Sequence, residues 1–182
     1  EYAAGLEPSV FAGFADAIRE LDRVSVCVDV GHVGIWKVRS AYARRHPGQD
    51  VCALKLEARS LAEHIADVDA AVASALPAVL RLISVLSQQG KPMHFHLHDG
   101  HPLSRFSHFG LCDHLSFTSE IPIEFEHRGR RTLPLMFGPA GLAEIVLRAV
   151  RNFGRAHVSF TLEIHPGAGR LALGDAAPLF RH

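Results

Sequence analysis

Four short segments hold the side chains with chemical potential. They are Glu1 in EYAAG, Asp29 and His32 in CVDVGH, His94, His96, His98 and Asp99 in HFHLHD, and Glu163 in TLEIHP. Histidine is abundant, 13 of 182 residues, and is both the commonest metal ligand and a usual acid–base group. Carboxylates and imidazoles without thiolates suit a borderline or hard divalent ion: Mn²⁺, Zn²⁺, Co²⁺ or Mg²⁺. Singly, each segment is ambiguous. Asp29 alone reads more readily as a helix cap or turn residue, and the alternate histidines alone read as a hydrogen-bonded interior row. Acids ending two strands and a histidine row on a third make a shared divalent-metal centre the stronger expectation.

The elements that must position these groups alternate. Ser9 to Asp22 is expected to be a helix, capped by Ser9, with Val10, Phe11, Phe14, Ala17, Ile18 and Leu21 on one face. Val24 to Val30 reads as a β-branched strand. Arg59 to Ala75 reads as a helix, and Pro77 kinks it or opens a second one that stops at Gly90. Pro92 to His98 is the next strand, Gly141 to Phe153 a helix closed by Gly154, and Val158 to Ile164 the last strand. The long stretch between His32 and His96 implies an extra helix in that crossover. This alternation predicts an α/β fold with parallel strands. Strand parity adds more. Val24, Val26, Val28 and Val30 oppose Ser25, Cys27 and Asp29; Met93, Phe95 and Leu97 oppose His94, His96 and His98; Val158, Phe160, Leu162 and Ile164 oppose Ser159, Thr161 and Glu163. Each strand has an apolar face for helices and a polar face ending in a metal-capable group. Such polar faces must converge on a shared interior, as at the C-terminal mouth of a TIM barrel; an open doubly wound sheet more often buries both faces with aliphatics.

The order E-x-x-A-G, D-x-G-H, H-x-H-D and a strand-ending L-E resembles the xylose isomerase-like TIM-barrel superfamily, which includes sugar-phosphate isomerases and epimerases and the endonuclease IV-type apurinic-site nucleases. The resemblance implies a metal held at the barrel mouth by Glu1, Asp29, His96 and Glu163, ending the fifth to eighth strands. It implies His32 as a second ligand or substrate contact. His98, Asp99 and His114 are expected to orient ligands or face substrate rather than bind metal themselves. The resemblance spans residues 1–182 as the C-terminal half of one domain: a partial (β/α)8 barrel, strands five to eight with their helices. Half a barrel leaves open edges and is expected to need its other half or a partner, so a homo-oligomer is among the states expected. The nuclease branch carries Asp-x-His after the seventh strand, whereas Asp113 and His114 are adjacent here.

Two activities follow from the resemblance. The first is a divalent-metal-dependent sugar, sugar-phosphate or polyol isomerase or epimerase, with Glu1 and Glu163 exchanging a proton on opposite faces of the substrate carbon through an enediolate. The second is a metal-dependent phosphodiesterase or apurinic-site endonuclease using two or three ions, with extra ligands from His32, Asp113 or His114. A non-catalytic barrel fragment is the third reading. Composition weighs among them. Lys plus Arg (19) equals Asp plus Glu (19), which gives no support to nucleic-acid or membrane-surface binding and favours a small-molecule sugar or polyol as partner. No uninterrupted apolar run reaches the ~18 residues of a membrane span. Three cysteines form no CxxC and no even framework, which with the lack of a leader-like segment at Glu1 leads to an expected cytoplasmic location. Cys27 and Cys112 read as buried small hydrophobes. Ile121 to Phe137 reads as a hairpin arm, either solvated or folded over the mouth, where Arg128, Arg130 or Arg131 could hold a phosphate or carboxylate.

Overall fold

A computed structural model describes residues 8–54, 58–104 and 113–164. The helices are α1 (Pro8–Ala17), α2 (Val30–Ala43), α3 (Ala58–Val72), α4 (Ala75–Leu86) and α5 (Gly138–Phe153). The strands are β1 (Val26–Asp29), β2 (Met93–Leu97), β3 (Asp99–Gly100), β4 (Asp113–Leu115), β5 (Glu120–His127), β6 (Arg130–Pro134) and β7 (Val158–Leu162). Glu1, Cys112 and the strand expected to end at Glu1 lie outside the described residues.

The chain folds as a mixed α/β structure around a parallel sheet of order β1-β2-β7. The crossover from β1 to β2 holds α2, α3 and α4; the route from β2 to β7 passes two antiparallel pairs, β3-β4 and β5-β6, and then α5. Register aligns Cys27 with His94 and Ser159, and Asp29 with His96 and Thr161. The alternation expected from sequence appears as burial: Val26, Val28, Met93, Phe95 and Leu97 are buried, while Cys27, Ser159 and Thr161 are exposed and His94 and His96 half-buried. The pairing among the described residues is small and open, and no barrel closes among them, so the partial barrel expected from the resemblance is not itself seen. Cys27, expected inside the core, lies on the exposed face because it shares the parity of Asp29.

The apolar face packs under α2, α4 and α5. Ile35, Leu82, Ile83, Leu86, Phe95 and Ile145 have no exposed surface, and burying each such side chain contributes roughly 1.5–3 kcal/mol. Phe95 stacks on Phe160 at 5.7 Å and meets the edge of Phe153 at 6.0 Å. The expected first strand ends one residue early, because Val30 is the first residue of α2. Val30, Val33, Ile35 and Val38 are β-branched and weak helix formers. Their complete burial, not propensity, makes α2 a helix. Pro77 falls in the first turn of α4, where its missing N–H leaves no hydrogen bond unmade. Residues Leu61–Gln89 are long and apolar enough to cross a bilayer by length and composition, a property that counting uninterrupted apolar residues misses. In this fold Leu61, Val68, Val79, Leu82 and Leu86 point into the core instead.

The hairpin arm is real and packed. Ile121, Ile123 and Leu133 are buried, and the tip turns through Arg128 (φ 50°) and Gly129 (φ 76°). Two central residues at positive φ are the turn geometry that matches strand twist. The tip is fastened to α3: His127 Nε2 lies 2.8 Å and an Arg128 nitrogen 3.2 Å from Asp69 Oδ2. Arg128, considered above as an anion holder, therefore has a carboxylate of the same chain beside it.

Candidate metal centre

The site is built where β1, β2 and β7 end. Asp29 is the last residue of β1 and the N-cap of α2, with Oδ1 accepting from the His32 amide at 2.9 Å. Both readings of this residue, cap and ligand candidate, thus meet in one side chain: the cap uses Oδ1 and leaves Oδ2 available. His98 Nε2–H donates to the same Oδ1 at 2.6 Å, while His98 Nδ1 accepts from the His114 amide at 2.8 Å. The accepting Nδ1 assigns the proton to Nε2. With both nitrogens engaged and no exposed surface, His98 fixes the Asp29 carboxylate and faces no substrate.

Gly31 explains part of the D-x-G-H pattern. A Cβ there would sit 2.0 Å from His98 Cε1 and 2.3 Å from Nδ1, so only glycine lets the His98 ring reach Asp29. His32 follows on the first turn of α2, its Nδ1 3.8 Å from Asp29 Oδ2. His114, at φ 61°, stacks on His98 with ring centres 4.1 Å apart and planes 8° apart, and its Nε2 lies 3.6 Å from Glu163 Oε1.

His96 faces the same side as Asp29, and its Nδ1 lies 2.7 Å from Glu163 Oε2. Glu163 follows β7 and is held in line by its amide, which donates to Leu97 O at 3.0 Å. One ligand atom from each of Asp29, His96 and Glu163 lies within 4.8 Å of the others, and the same holds for Asp29, His32, His98 and His114. These His, Asp and Glu groupings could bind a metal, and Asp29 belongs to both. An observation within the site fits a cation. Glu163 Oε2 is a buried atom without a hydrogen bond of acceptable geometry among the described residues, although His96 Nδ1 is 2.7 Å away. A buried carboxylate oxygen without a hydrogen bond, with an imidazole nitrogen this close, is an arrangement that a shared cation would satisfy. Asp29, His96 and Glu163 thus fit a small divalent ion as first ligands, and His98 fits the partner that orients one of them.

Electrostatics support a charged Asp29. Burial pushes its carboxyl up, but the His98 hydrogen bond, attraction to His98 and His32, and the His32 amide together outweigh burial and hold it below the ordinary carboxylate value. Asp99 behaves differently. It is expected from sequence to orient ligands or face substrate, yet it has no exposed surface and accepts from the amides of Gly100 (2.8 Å), Phe137 (3.2 Å) and Gly138 (2.7 Å). It caps the start of α5 from a neighbouring strand. Burial lifts its pKa from 3.8 to about 6 against the pull of those three amides. His101 beside it is buried too, and burial lowers its pKa to about 3, so it is neutral.

The polar parity of β1 and β2 held the signal for Asp29 and His96. The roles of Gly31 and Asp99 carried no sequence signal, because each depends on a residue distant in the chain. No protein-family model matches this chain, and neither a curated protein nor a solved structure is significantly similar to it.

Proposed function

We propose that this chain is a divalent-metal-dependent isomerase or epimerase of sugars, sugar phosphates or polyols, in which Asp29, His96 and Glu163 hold the ion. The convergence of these three donors from three neighbouring parallel strands carries the reading. Neighbouring parallel strands, each with an apolar face under helices and a polar face ending in a metal-capable group, support the reading of the chain as part of a (β/α)8 barrel of the xylose isomerase-like kind, with Glu1 as a further ligand. Bound there, Mn²⁺, Zn²⁺, Co²⁺ or Mg²⁺ supplies Lewis-acid polarisation of a carbonyl. The protein's own groups do the rest. Asp29 is locked by His98 and the His32 amide, so it binds without reorientation. Glu163, two-fifths exposed, has access to a substrate carbon and takes up or returns a proton, with Glu1 as its counterpart on the other face. His32 and His114 flank the opening and suit hydroxyl recognition. A small polar substrate fits the neutral charge balance, and a cytoplasmic location fits the free thiols.

The test is isotope exchange. Purified protein with Mn²⁺ and a panel of aldoses, ketoses and their phosphates in deuterated water should label the carbon next to the carbonyl. Glu163→Gln, which keeps shape but cannot take up a proton, should lower that rate by roughly 10²–10⁴. The second reading, a metal-dependent phosphodiesterase or apurinic-site endonuclease, draws on the second cluster around Asp29, in which His32 and His114 stand beside the carboxylate that His98 orients. Two or three ions per chain and cleavage of abasic DNA, with no exchange into any sugar, would replace the first reading by the second. Absence of both activities would favour a non-catalytic barrel fragment.

A further inference from the structure

The sheet face carries a second set of donors one step nearer the strands' beginning. Cys27 and His94 are register partners across β1 and β2, and His96 follows His94 on the same face. One ligand atom from each of Cys27, His94 and His96 lies within 4.8 Å of the others. All three project from paired strands, which hold donors more rigidly than loops do. The set differs in kind from the neighbouring one: it has a thiol and two imidazoles and no carboxylate. His94 is already oriented, with Nδ1 2.7 Å from Ser159 Oγ and Nε2 3.1 Å from Thr161 Oγ1. Both hydroxyls sit on exposed residues. One can turn to water and free a ring nitrogen, while the other keeps the ring in place as an outer partner. Tetrahedral zinc needs its nitrogen and sulfur donors roughly 3.3–3.6 Å apart, given bonds of about 2.0–2.3 Å. Side-chain rotation on the open face closes that gap.

We propose that Cys27, His94 and His96 form a site for a thiophilic divalent ion, Zn²⁺ or Cd²⁺, and that its occupation takes His96 away from Asp29 and Glu163. Coordination forms a metal–sulfur bond, and the thiol proton leaves to solvent. Soft ions select the sulfur set and hard ions such as Mn²⁺ the carboxylate set, so the shared imidazole makes the two mutually exclusive. The exclusion rests on the metal centre of the proposed function; the sulfur site itself does not.

Cadmium titration followed by the ultraviolet thiolate-to-cadmium charge-transfer band tests the site directly. The band should appear at one equivalent and vanish in Cys27→Ser. In His94→Ala its midpoint should rise by more than the roughly 10–100-fold that loss of an outer partner costs. It should persist in Glu163→Gln and in Cys52→Ser. Circular dichroism confirms that each variant folds, and Cys27→Ala replaces Cys27→Ser if the latter does not. A band that survives in the folded Cys27 variant overturns the site. Paramagnetic resonance of Mn²⁺ then tests the exclusion. Cadmium should release bound Mn²⁺ from the wild type and leave it bound in Cys27→Ser. Simultaneous binding of both ions overturns the sharing of His96. Failure of Mn²⁺ to bind at all counts against the proposed function and against the exclusion, while the cadmium band still decides the sulfur site.

Discussion

Histidines meet acids in two regions of this molecule, and the two are built differently. Along α3, the two aspartates each meet an arginine and a histidine from another segment. Asp67 holds Arg45 at 2.6 Å and His46 at 2.9 Å; Asp69 holds His127 at 2.8 Å and Arg128 at 3.2 Å. His64 beside them bonds the fully buried Tyr42 hydroxyl at 2.8 Å. These are clasps, with each carboxylate neutralised by a cation and each contact joining two elements. At the strand ends, each acid meets imidazoles from two segments: His32 and His98 at Asp29, His96 and His114 at Glu163. An arginine beside a carboxylate fills the place a metal would take; imidazoles can share it. A count of histidines cannot separate these cases, and the partners of the acids do.

The comparison breaks first on metal affinity. His96→Ala should weaken Mn²⁺ binding by more than about 100-fold, since a ligand outweighs an outer partner, while His127→Ala should leave the affinity within about twofold. Calorimetric titration of both variants measures it. Equal affinities would put the strand-end cluster in the same class as the clasps.

A second effect separates Asp99 from Asp29 by the sign of its pH dependence. The folded state holds the Asp99 proton more tightly than the unfolded chain, with a pKa of about 6 against 3.8. Its contribution therefore favours folding as pH falls through about 6 toward 3.8, and is lost as pH rises again. Two pH units correspond to about 3 kcal/mol. Asp29, held below its ordinary value, acts oppositely: its stabilisation is present above 3.8 and fades as pH falls through its lowered pKa. Urea unfolding between pH 4 and 7 should show the Asp99 slope. Asp99→Asn should flatten it, although its amide would face the Gly138 N–H and weaken the cap. A slope unchanged in that variant would assign it to another group.

Much of this was legible in the chain, for identifiable reasons. Alternation with a period of two fixes which face a side chain takes, so the sequence itself puts Asp29, His96 and Glu163 on the polar faces of their strands. The β-branched stretch of α2 could not be read, because its helicity comes from burial against α4 and β2. Asp99 could not be read either: its partners Phe137 and Gly138 are nearly forty residues away, and local pattern carries nothing about them. The arm was legible as a hairpin, but its attachment depends on Asp69, whose spacing within α3 looks like that of any solvated helix acid.

Gly31→Ala tests how tightly the strand-end cluster is packed. Its Cβ would meet the His98 ring at 2.0 Å, and overpacking of this kind costs typically 1–3 kcal/mol. The His98 ring must turn away, releasing Asp29 on that side, so urea stability and Mn²⁺ affinity should fall together. A fall in stability alone would show that His98 does not orient Asp29.

The smallest effect falls on the clasps and sharpens the contrast from the other side. Asp69→Asn keeps the side-chain shape and one oxygen for His127 or Arg128, but removes the charge both are paired with. Asp69 and His127 are largely covered, at 16% and 18% exposed, whereas the Arg128 side chain is 74% exposed. The arginine contact is therefore screened by solvent, and most of the loss comes from the histidine. Exposed pairs contribute roughly 0.2–1 kcal/mol, and a partly covered one sits near the top of that range, so the loss should be about 1 kcal/mol. It should be confined to attachment of the arm: amide exchange in β5 and β6 should quicken while that in β1, β2 and β7 stays as it was. Mn²⁺ affinity should not change, because nothing in the clasp touches Asp29, His96 or Glu163. If affinity dropped with the arm's release, the arm would belong to the metal centre, and the division between clasping and ligating histidines would fail.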